Sequence, residues 1–139
     1  MPCLSGSYVP QIGIIVNVIV FPAGSITPTT PPKIEVKAFP ALLDTGATNT
    51  CISTVVADAI GINPIGMQPM TSATHIVPVN VFLVDLLLPF GSAGFIISNA
   101  QVMEFKPTMG SPFVMLLGRD IICRGALTMS FDGHFTLSL

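Results

Sequence analysis

Asp44 is the residue of this sequence best placed to do chemistry. It follows two leucines and precedes Thr-Gly-Ala, so a carboxylate lies between an apolar strand and a glycine-containing turn. Asp, Thr and Gly are all common turn formers, and an ordinary turn is the alternative interpretation of these three residues alone. The leucines, however, would hold the strand in the core and would deliver Asp44 to the edge of a buried region. Because a carboxylate needs a reason to be there, we predict a functional role for Asp44.

A second motif of similar character follows later in the chain. Residues 114–120 read Val-Met-Leu-Leu-Gly-Arg-Asp, again two apolar residues before a glycine, here followed by a charged pair. The two motifs in this order resemble those of the retropepsins, the single-domain aspartic peptidases of retroviruses and their cellular relatives. In that family the first motif forms the catalytic loop and the second closes the substructure that supports it. The resemblance spans roughly Tyr8 to the C-terminus, and Ala47 is typical of the retroviral branch.

The resemblance implies a fold and a reaction. The expected fold is all-β, a closed, barrel-like acid protease fold with one or two short helices, assembled as a C2 homodimer. The expected activity is that of an aspartic endopeptidase, in which two carboxylates share one proton and activate water. Only one suitable aspartate is present, so the second would be Asp44 of a symmetry mate. The alternative is a catalytically inactive dimeric peptide-binding module with the same fold.

The resemblance also assigns roles to individual residues. Thr45 would bond across the dimer axis, and Gly46 would let the backbone approach the substrate. A flap is expected at about residues 66–79, although its tip lacks glycine. Arg119 would pair with Asp120 or with carbonyls of the other subunit, because Thr48 and Asn49 replace acidic residues that are common in viral enzymes. The predicted site therefore comprises a catalytic group (Asp44, Thr45, Gly46), a substrate-binding and flap group (Ala47, Thr71, Ser72, Ala73, Thr74, His75) and a supporting group (Leu117, Gly118, Arg119, Asp120).

Size and composition set further bounds. The chain has 139 residues and a mass of 14.6 kDa, which predicts a single domain over residues 1–139. Half of the residues are hydrophobic and 9% are charged, against about 25% charged in an ordinary domain. This composition favours an oligomer, and a membrane-associated fragment is the alternative. The apolar runs Ile12–Phe21 and Val81–Ile97 are each interrupted by polar residues or proline, so no membrane span is predicted. The N-terminus lacks the basic start of a signal peptide, which favours a cytoplasmic location.

Several other functions find little support. A net charge of −2 without a Lys/Arg cluster gives no indication of nucleic-acid binding. The cysteines are odd in number and lack Cys-x-x-Cys spacing, so we expect reduced core thiols and no metal or cofactor. Serine hydrolysis lacks the Gly-x-Ser-x-Gly signature. We interpret the remaining aspartates considered, Asp58, Asp85 and Asp132, as structural.

The elements that would position Asp44 are mostly strands, because β-branched and aromatic residues recur in short runs between glycines and prolines. A short helix is predicted from an N-cap at Ser53 to Ile60, ended by Gly61. A helical turn is predicted near Asp120–Arg124, and Asp132-Gly133 predicts a two-residue hairpin turn. The predicted strands are Ile12–Phe21, Ile34–Val36, Ala41–Leu43, two stretches within Ile76–Leu88, further strands within Phe95–Phe105, Met115–Leu117, Thr128–Phe131 and Phe135–Leu137.

Overall fold

The structure, a computed structural model, describes residues 3–26, 36–71, 74–91 and 93–139. These residues form a mostly β fold with two short helices, as the sequence predicts. The strands are β1 (Cys3–Ser7), β2 (Ile15–Pro22), β3 (Ala38–Leu43), β4 (Cys51–Ile52), β5 (Gly66–Thr71), β6 (Ile76–Phe90), β7 (Ala93–Glu104), β8 (Met115–Leu117), β9 (Ala126–Met129) and β10 (His134–Ser138), and the helices are α1 (Thr54–Ile60) and α2 (Arg119–Ile122).

Six strands close into a barrel. They lie in the order β2-β3-β8-β4-β7-β6, and β6 pairs back onto β2, while β5 extends beyond the barrel as the partner of the first part of β6. Side chains from all sides of the barrel fill one core, including Val18, Val84 and Leu117, none of which is exposed. In β2 the buried residues alternate with more exposed ones up to Val20, as expected for a strand of a closed barrel.

Two predicted strands differ in their limits. The predicted strand from Ile12 starts at Ile15 instead, because the chain turns before it with Gly13 at a φ of 99°. Strand β3 starts at Ala38 and runs through Pro40, where a break was predicted. Leu43 N–H donates to the Ile14 carbonyl, and the Lys37 carbonyl accepts from Val20 N–H. In this alternating pattern Pro40 pairs with Asn17 at a position where no N–H to β2 is needed. The predicted strand Ile34–Val36 lies largely outside the described residues, and Val36 itself is not in a strand.

Both helices begin and end close to the residues that the sequence predicts. Helix α1 spans Thr54–Ile60 with Ser53 at the N-cap position, and Gly61 ends it in the left-handed conformation at a φ of 71°. The Ser53 side chain does not make the expected capping bond, and its buried hydroxyl has no hydrogen-bond partner among the described residues. Helix α2 starts at Arg119, one residue before the predicted turn.

The chain ends form a separate three-stranded sheet in the order β1-β10-β9. The turn between β9 and β10 is longer than the two residues predicted, because Ser130 N–H donates to the carbonyl of His134 at 2.8 Å and encloses three residues. Gly133 takes the left-handed position of that loop at a φ of 84°, an arrangement common in three-residue hairpins. The sheet thus ties both termini to one another within a single chain.

Asp85 is buried in the barrel wall, with 1% of its surface exposed. Its carboxylate accepts hydrogen bonds from Asn99 N–H at 2.9 Å and from Ile26 N–H at 3.1 Å. Asn99 lies opposite a register shift between β6 and β7 and has a φ of 52°. Asp85 therefore supplies acceptors to backbone groups that the ladder leaves unpaired, which is a structural role.

Within the part of the chain that the structure describes, no helix has the length and apolar character needed to cross a membrane.

Candidate active site

Asp44 lies at the end of β3, where the strand leaves the barrel. Its backbone N–H donates to the carbonyl of Leu117 at 2.9 Å, which continues the parallel pairing of β3 with β8. Its side chain is partly buried, and Oδ1 accepts a hydrogen bond from Gly46 N–H at 2.9 Å. The barrel thus fixes the backbone of Asp44, and the turn fixes its carboxylate.

Gly118 supports the loop that carries Asp44. A Cβ at this position would lie 2.6 Å from the backbone carbon of Asn49 and 2.9 Å from the carbonyl oxygen of Ala47. The next residue, Arg119, donates its N–H to that same Ala47 carbonyl at 2.8 Å. The motif at 114–120 therefore packs directly against the Asp44 loop, and the absent side chain of Gly118 permits the contact.

The side chain of Arg119 contacts the Asp44 loop of its own chain and not Asp120, the first of the two partners predicted for it. One guanidinium nitrogen donates to the carbonyl of Thr45 at 2.9 Å and the other to the Thr48 hydroxyl at 3.0 Å. The prediction of an Arg119–Asp120 pair is wrong, because the Asp120 carboxylate is engaged by Thr50. Since Thr48 is neutral, it accepts this bond without the ion pair that an acidic residue would form.

Thr50 is a site residue that the sequence did not reveal. It is fully buried, its hydroxyl donates to Asp120 Oδ1 at 2.8 Å, and its N–H donates to Asp120 Oδ2 at 3.0 Å. The hydroxyl also accepts a hydrogen bond from Gly118 N–H. The sequence did contain one signal for this role, because Thr50 immediately precedes the apolar pair Cys51-Ile52. A polar side chain that is drawn into the core with such a pair needs hydrogen-bond partners there.

The predicted flap region forms a hairpin. Strands β5 and β6 pair from Gly66 with Val81 to Thr71 with Ile76, so the hairpin projects beyond the barrel. The predicted tip residues Thr71, Thr74 and His75 lie at its end and are exposed, and Ser72 and Ala73 lie outside the described residues.

A cavity of about 340 Å³ lies between this hairpin and the Asp44 loop. Residues 46–49 form one side, residues 69–71 form the other, and the barrel strands contribute Cys51, Met103 and Leu116, with Phe105 just beyond β7. Ala47 and Thr71, which belong to the predicted substrate-binding and flap group, both line this cavity. The barrel residues were missed because they are ordinary strand residues in the sequence, and only the folded arrangement turns them toward the loop.

The three cysteines differ from the prediction of core thiols. Cys51 is buried, but Cys3 and Cys123 are exposed. Burial raises the pKa of the Cys51 thiol to about 12, and the nearby carboxylates of Asp120 and Asp44 add to the increase. Cys51 is therefore a neutral thiol in the cavity wall.

Ser130, Asp132 and His134 cluster on the β9–β10 turn but lack the arrangement of a nucleophile and its base. The Ser130 hydroxyl donates to the Asp132 carboxylate, and His134 Nδ1 lies 3.4 Å from the same oxygen. The bond from Ser130, followed by that from His134, lowers the pKa of Asp132. The cluster orders a turn, since a catalytic serine would need to donate to the histidine.

Comparisons with known proteins identify a family and a similar fold. A family model described as aspartyl protease matches residues 30–121, well over half of the chain. A solved retropepsin-like aspartic protease from Rickettsia conorii superposes with a TM-score of 0.63 at 11% identity, covering 97% of this chain and 89% of that one. The retroviral protease-like domain of Ddi1 from Leishmania major gives a TM-score of 0.45 at 12% identity, with coverages of 85% and 82%. No curated protein matched the sequence.

The barrel with its projecting hairpin is thus the retropepsin-like fold that the two sequence motifs predicted. The family match includes the Asp44 loop and extends through Gly118 to α2. The chain belongs to the aspartyl protease family.

Proposed function

We propose that this protein is an aspartic endopeptidase that works as a homodimer, with one Asp44 from each subunit. The observation that carries the proposal is the position of Asp44 directly after β3, which pairs with β8. Its carboxylate accepts a hydrogen bond from Gly46 N–H. A carboxylate held in this way beside a cavity is positioned to act on a bound peptide. Membership of the aspartyl protease family supports the same reaction.

The reaction needs a second carboxylate. One group must take a proton from water while another donates one to the carbonyl oxygen of the peptide bond. Among the described residues that line the cavity, none carries a carboxylate. In the proposed dimer, two Asp44 side chains about 3 Å apart share one proton, because both cannot ionise at that distance. The ionised carboxylate accepts a proton from water as the water attacks the carbonyl carbon, and the protonated carboxyl donates its proton to the carbonyl oxygen.

The loop geometry suits a dimer contact at this place. The Thr45 side chain is exposed beside Asp44, while its carbonyl is held by Arg119. The hydroxyl is therefore available to bond to the partner loop and to hold the two carboxylates in one plane. Arg119 stiffens each loop from within its own subunit.

The hairpin of β5 and β6 acts as the flap in this proposal. It faces the Asp44 loop across the cavity, and Pro69, Met70 and Thr71 form its side of the cavity. Closure over a bound peptide would exclude water other than the attacking molecule.

The test compares the wild type with Asp44→Asn and with Asp58→Asn, the same change at an exposed position on α1. Each is incubated with a peptide library at roughly pH 4 to 6, where a shared-proton pair is active, and sedimentation reports whether it forms a dimer of 14.6 kDa chains. We expect the Asp44→Asn dimer to lose cleavage and the Asp58→Asn dimer to keep it. Cleavage retained by Asp44→Asn would overturn the proposal. Peptide binding by the wild type without any cleavage would assign the chain to the inactive dimeric peptide-binding class instead.

A further inference from the structure

The wall of the cavity beside the Asp44 loop holds two sulfur-containing side chains next to each other. Cys51 and Met103 are direct partners in the parallel pairing of β4 with β7. Their side chains therefore leave the same face of the sheet, on strands about 4.8 Å apart. Both residues are buried and line the cavity, and neither belongs to the core cluster inside the barrel. The pair thus lies on the outer face of the barrel, where the cavity begins.

Asn49 contacts both of these sulfur atoms from the Asp44 loop. The Cys51 thiol donates to the Asn49 carbonyl at 3.4 Å, and the Asn49 amide donates to the Met103 sulfur at 3.4 Å. One residue therefore orients both sulfur atoms at the edge of the loop. A third sulfur-containing side chain, Met70, lines the cavity from the β5–β6 hairpin on the opposite side.

One thiolate and two thioethers form a donor set for a soft metal ion. Ligands of this kind select Cu(I), whereas Mg²⁺, Ca²⁺ and Mn²⁺ prefer oxygen donors. Among the described residues, no three His, Cys, Asp or Glu side chains are grouped so that they could hold a metal ion, and methionines supply the remaining donors here. The expectation of no metal rested on the spacing of the cysteines, which carries no information about methionines on other strands.

The charges around Cys51 suit an ion that carries a single positive charge. Burial, followed by Asp120 and Asp44, raises the pKa of the thiol and keeps it protonated. When Cu(I) binds, the S–H bond breaks, an S–Cu bond forms and the proton leaves to solvent. One positive charge thus replaces another, so the net charge of the buried wall stays the same. The two carboxylates that oppose a bare thiolate then attract the bound cation.

We propose that Cys51, Met103 and Met70 form a site for one Cu(I) ion, and that this ion inhibits the peptidase. Met70 belongs to the hairpin and the other two ligands belong to barrel strands, so the bound ion ties the hairpin to the barrel wall across the cavity. A peptide then cannot enter between the hairpin and the Asp44 loop. The inhibition rests on the peptidase activity proposed above, whereas the binding of the ion does not.

The first measurement is Cu(I) binding, by competition with the chromophoric chelator bicinchoninate in anaerobic buffer with ascorbate. Because Cys3 and Cys123 are exposed thiols, the parent protein carries Cys3→Ser and Cys123→Ser and keeps Cys51. We expect one Cu(I) per chain, and we expect Met103→Leu to raise Kd by at least about tenfold, as the loss of a partner in a metal site commonly does. Met129→Leu is the control, since Met129 is exposed and does not line the cavity. Equal Kd values for these two variants, or no bound Cu(I), would overturn the proposal.

The second measurement tests the donor on the hairpin and the inhibition. Met70→Leu is compared with Met67→Leu, a change on the same strand at a residue that does not line the cavity. For Met70→Leu we expect the Cu(I) concentration that halves peptide cleavage to rise by about tenfold, and for Met67→Leu we expect it to match the parent protein. If Cu(I) binds but cleavage continues unchanged, the inhibition is refuted. If the metal-free parent protein cuts no peptide, the proposed function fails while the binding result stands.

Discussion

The hydroxyl of Thr50 accepts a hydrogen bond from the backbone N–H of Gly118 at 3.1 Å. This bond links the end of the Asp44 loop to the junction of β8 and α2, two segments 68 residues apart in sequence. Thr50 also gives both its hydroxyl proton and its N–H to Asp120, and its carbonyl accepts from Met103 N–H at 3.1 Å. One buried threonine thus joins the loop, its support and the wall of the cavity, so the position of Asp44 depends on Thr50.

Replacing Thr50 with valine tests this dependence. Valine keeps the shape but removes the hydroxyl, which leaves the buried N–H of Gly118 and one oxygen of Asp120 without their partner. The Gly118 N–H is buried, so the loss of its acceptor costs about 1 to 3 kcal/mol. Asp120 is exposed, so water can replace its lost bond, and urea unfolding should report a total loss of roughly 1 to 3 kcal/mol. We expect kcat to fall more than KM changes, because the carboxylate loses its alignment. Thr50→Ser restores the hydroxyl and should recover most of kcat; a serine variant as impaired as the valine variant would contradict the role.

A methyl group at position 118 should disrupt the same junction. Ala at Gly118 would bring its Cβ within 2.6 Å of the Asn49 backbone, which cannot move aside without displacing the Asp44 loop. We expect Gly118→Ala to destabilise the fold by about 2 kcal/mol or more and to abolish activity. Gly66→Ala is the matched control, since a Cβ there meets nothing within 4 Å and its φ is not positive. Thermal unfolding of both variants measures the difference, and we expect the lower melting temperature for Gly118→Ala. Equal melting temperatures would contradict the packing described for Gly118.

How much of the fold and of the candidate site could be predicted depends on whether the interactions responsible are local in sequence or join distant segments. The ends of α1 at Ser53 and Gly61 and the end of β3 at Leu43, just before Asp44, follow from local preferences, and these positions are found as predicted. The packing of Gly118 on the Asp44 loop was predicted from the paired motifs. Barrel closure by β2 and β6 was expected only in outline, because pairing across the whole chain has no local signal.

The features that the sequence did not predict also depend on contacts between distant segments. Thr50 and Met103 acquire their roles only through contacts with segments far away in sequence. The partners of Arg119 were predicted from the charge of its neighbour Asp120, but α2 turns the Asp120 carboxylate toward Thr50 and leaves the guanidinium beside the Thr45 carbonyl. Orientation at the start of a helix decided this interaction, and charge alone could not predict it.

Arg119→Lys should reduce activity without unfolding the protein. The guanidinium fork reaches Thr45 and Thr48 together, whereas an ammonium is a single point that cannot span both acceptors. Because the arginine is exposed, we expect the free energy of unfolding to change by less than about 1 kcal/mol. The looser loop should lower kcat by roughly tenfold, since small misplacements of a catalytic group have large effects. Arg124→Lys, also exposed, is the control in the same kinetic assay, and an equal effect of the two variants would refute the support role of Arg119.

Asp85→Asn should weaken the barrel although it changes one atom. Both carboxylate oxygens accept backbone N–H groups, and an asparagine amide presents one acceptor and one donor. One N–H of Ile26 or Asn99 would then face another donor in a buried position, which we expect to cost about 1 to 3 kcal/mol. Asp58→Asn changes an exposed helix residue and should stay within about 0.5 kcal/mol of the wild type. Urea unfolding at neutral pH measures both, and a neutral result for Asp85→Asn would show that the bonds at Asp85 contribute little.

The thiol of Cys51 should make stability fall at alkaline pH. In the folded protein its pKa is raised from 9.0 to about 12, first by burial and then by Asp120 and Asp44. Between these two values the unfolded chain releases the proton and the folded chain keeps it, so rising pH favours unfolding; below about pH 9 the effect vanishes. The slope from one such group approaches about 1.4 kcal/mol per pH unit inside that window.

Cys51→Ala removes this contribution. Its unfolding free energy should start lower at pH 8, because a buried side chain is shortened, but it should decline less steeply between pH 9 and 12 than that of the wild type. Cys123→Ala changes an exposed thiol and should follow the wild-type slope. Parallel curves for Cys51→Ala and the wild type would mean that Cys51 ionises in the folded protein as readily as in the unfolded chain, which would contradict the raised pKa.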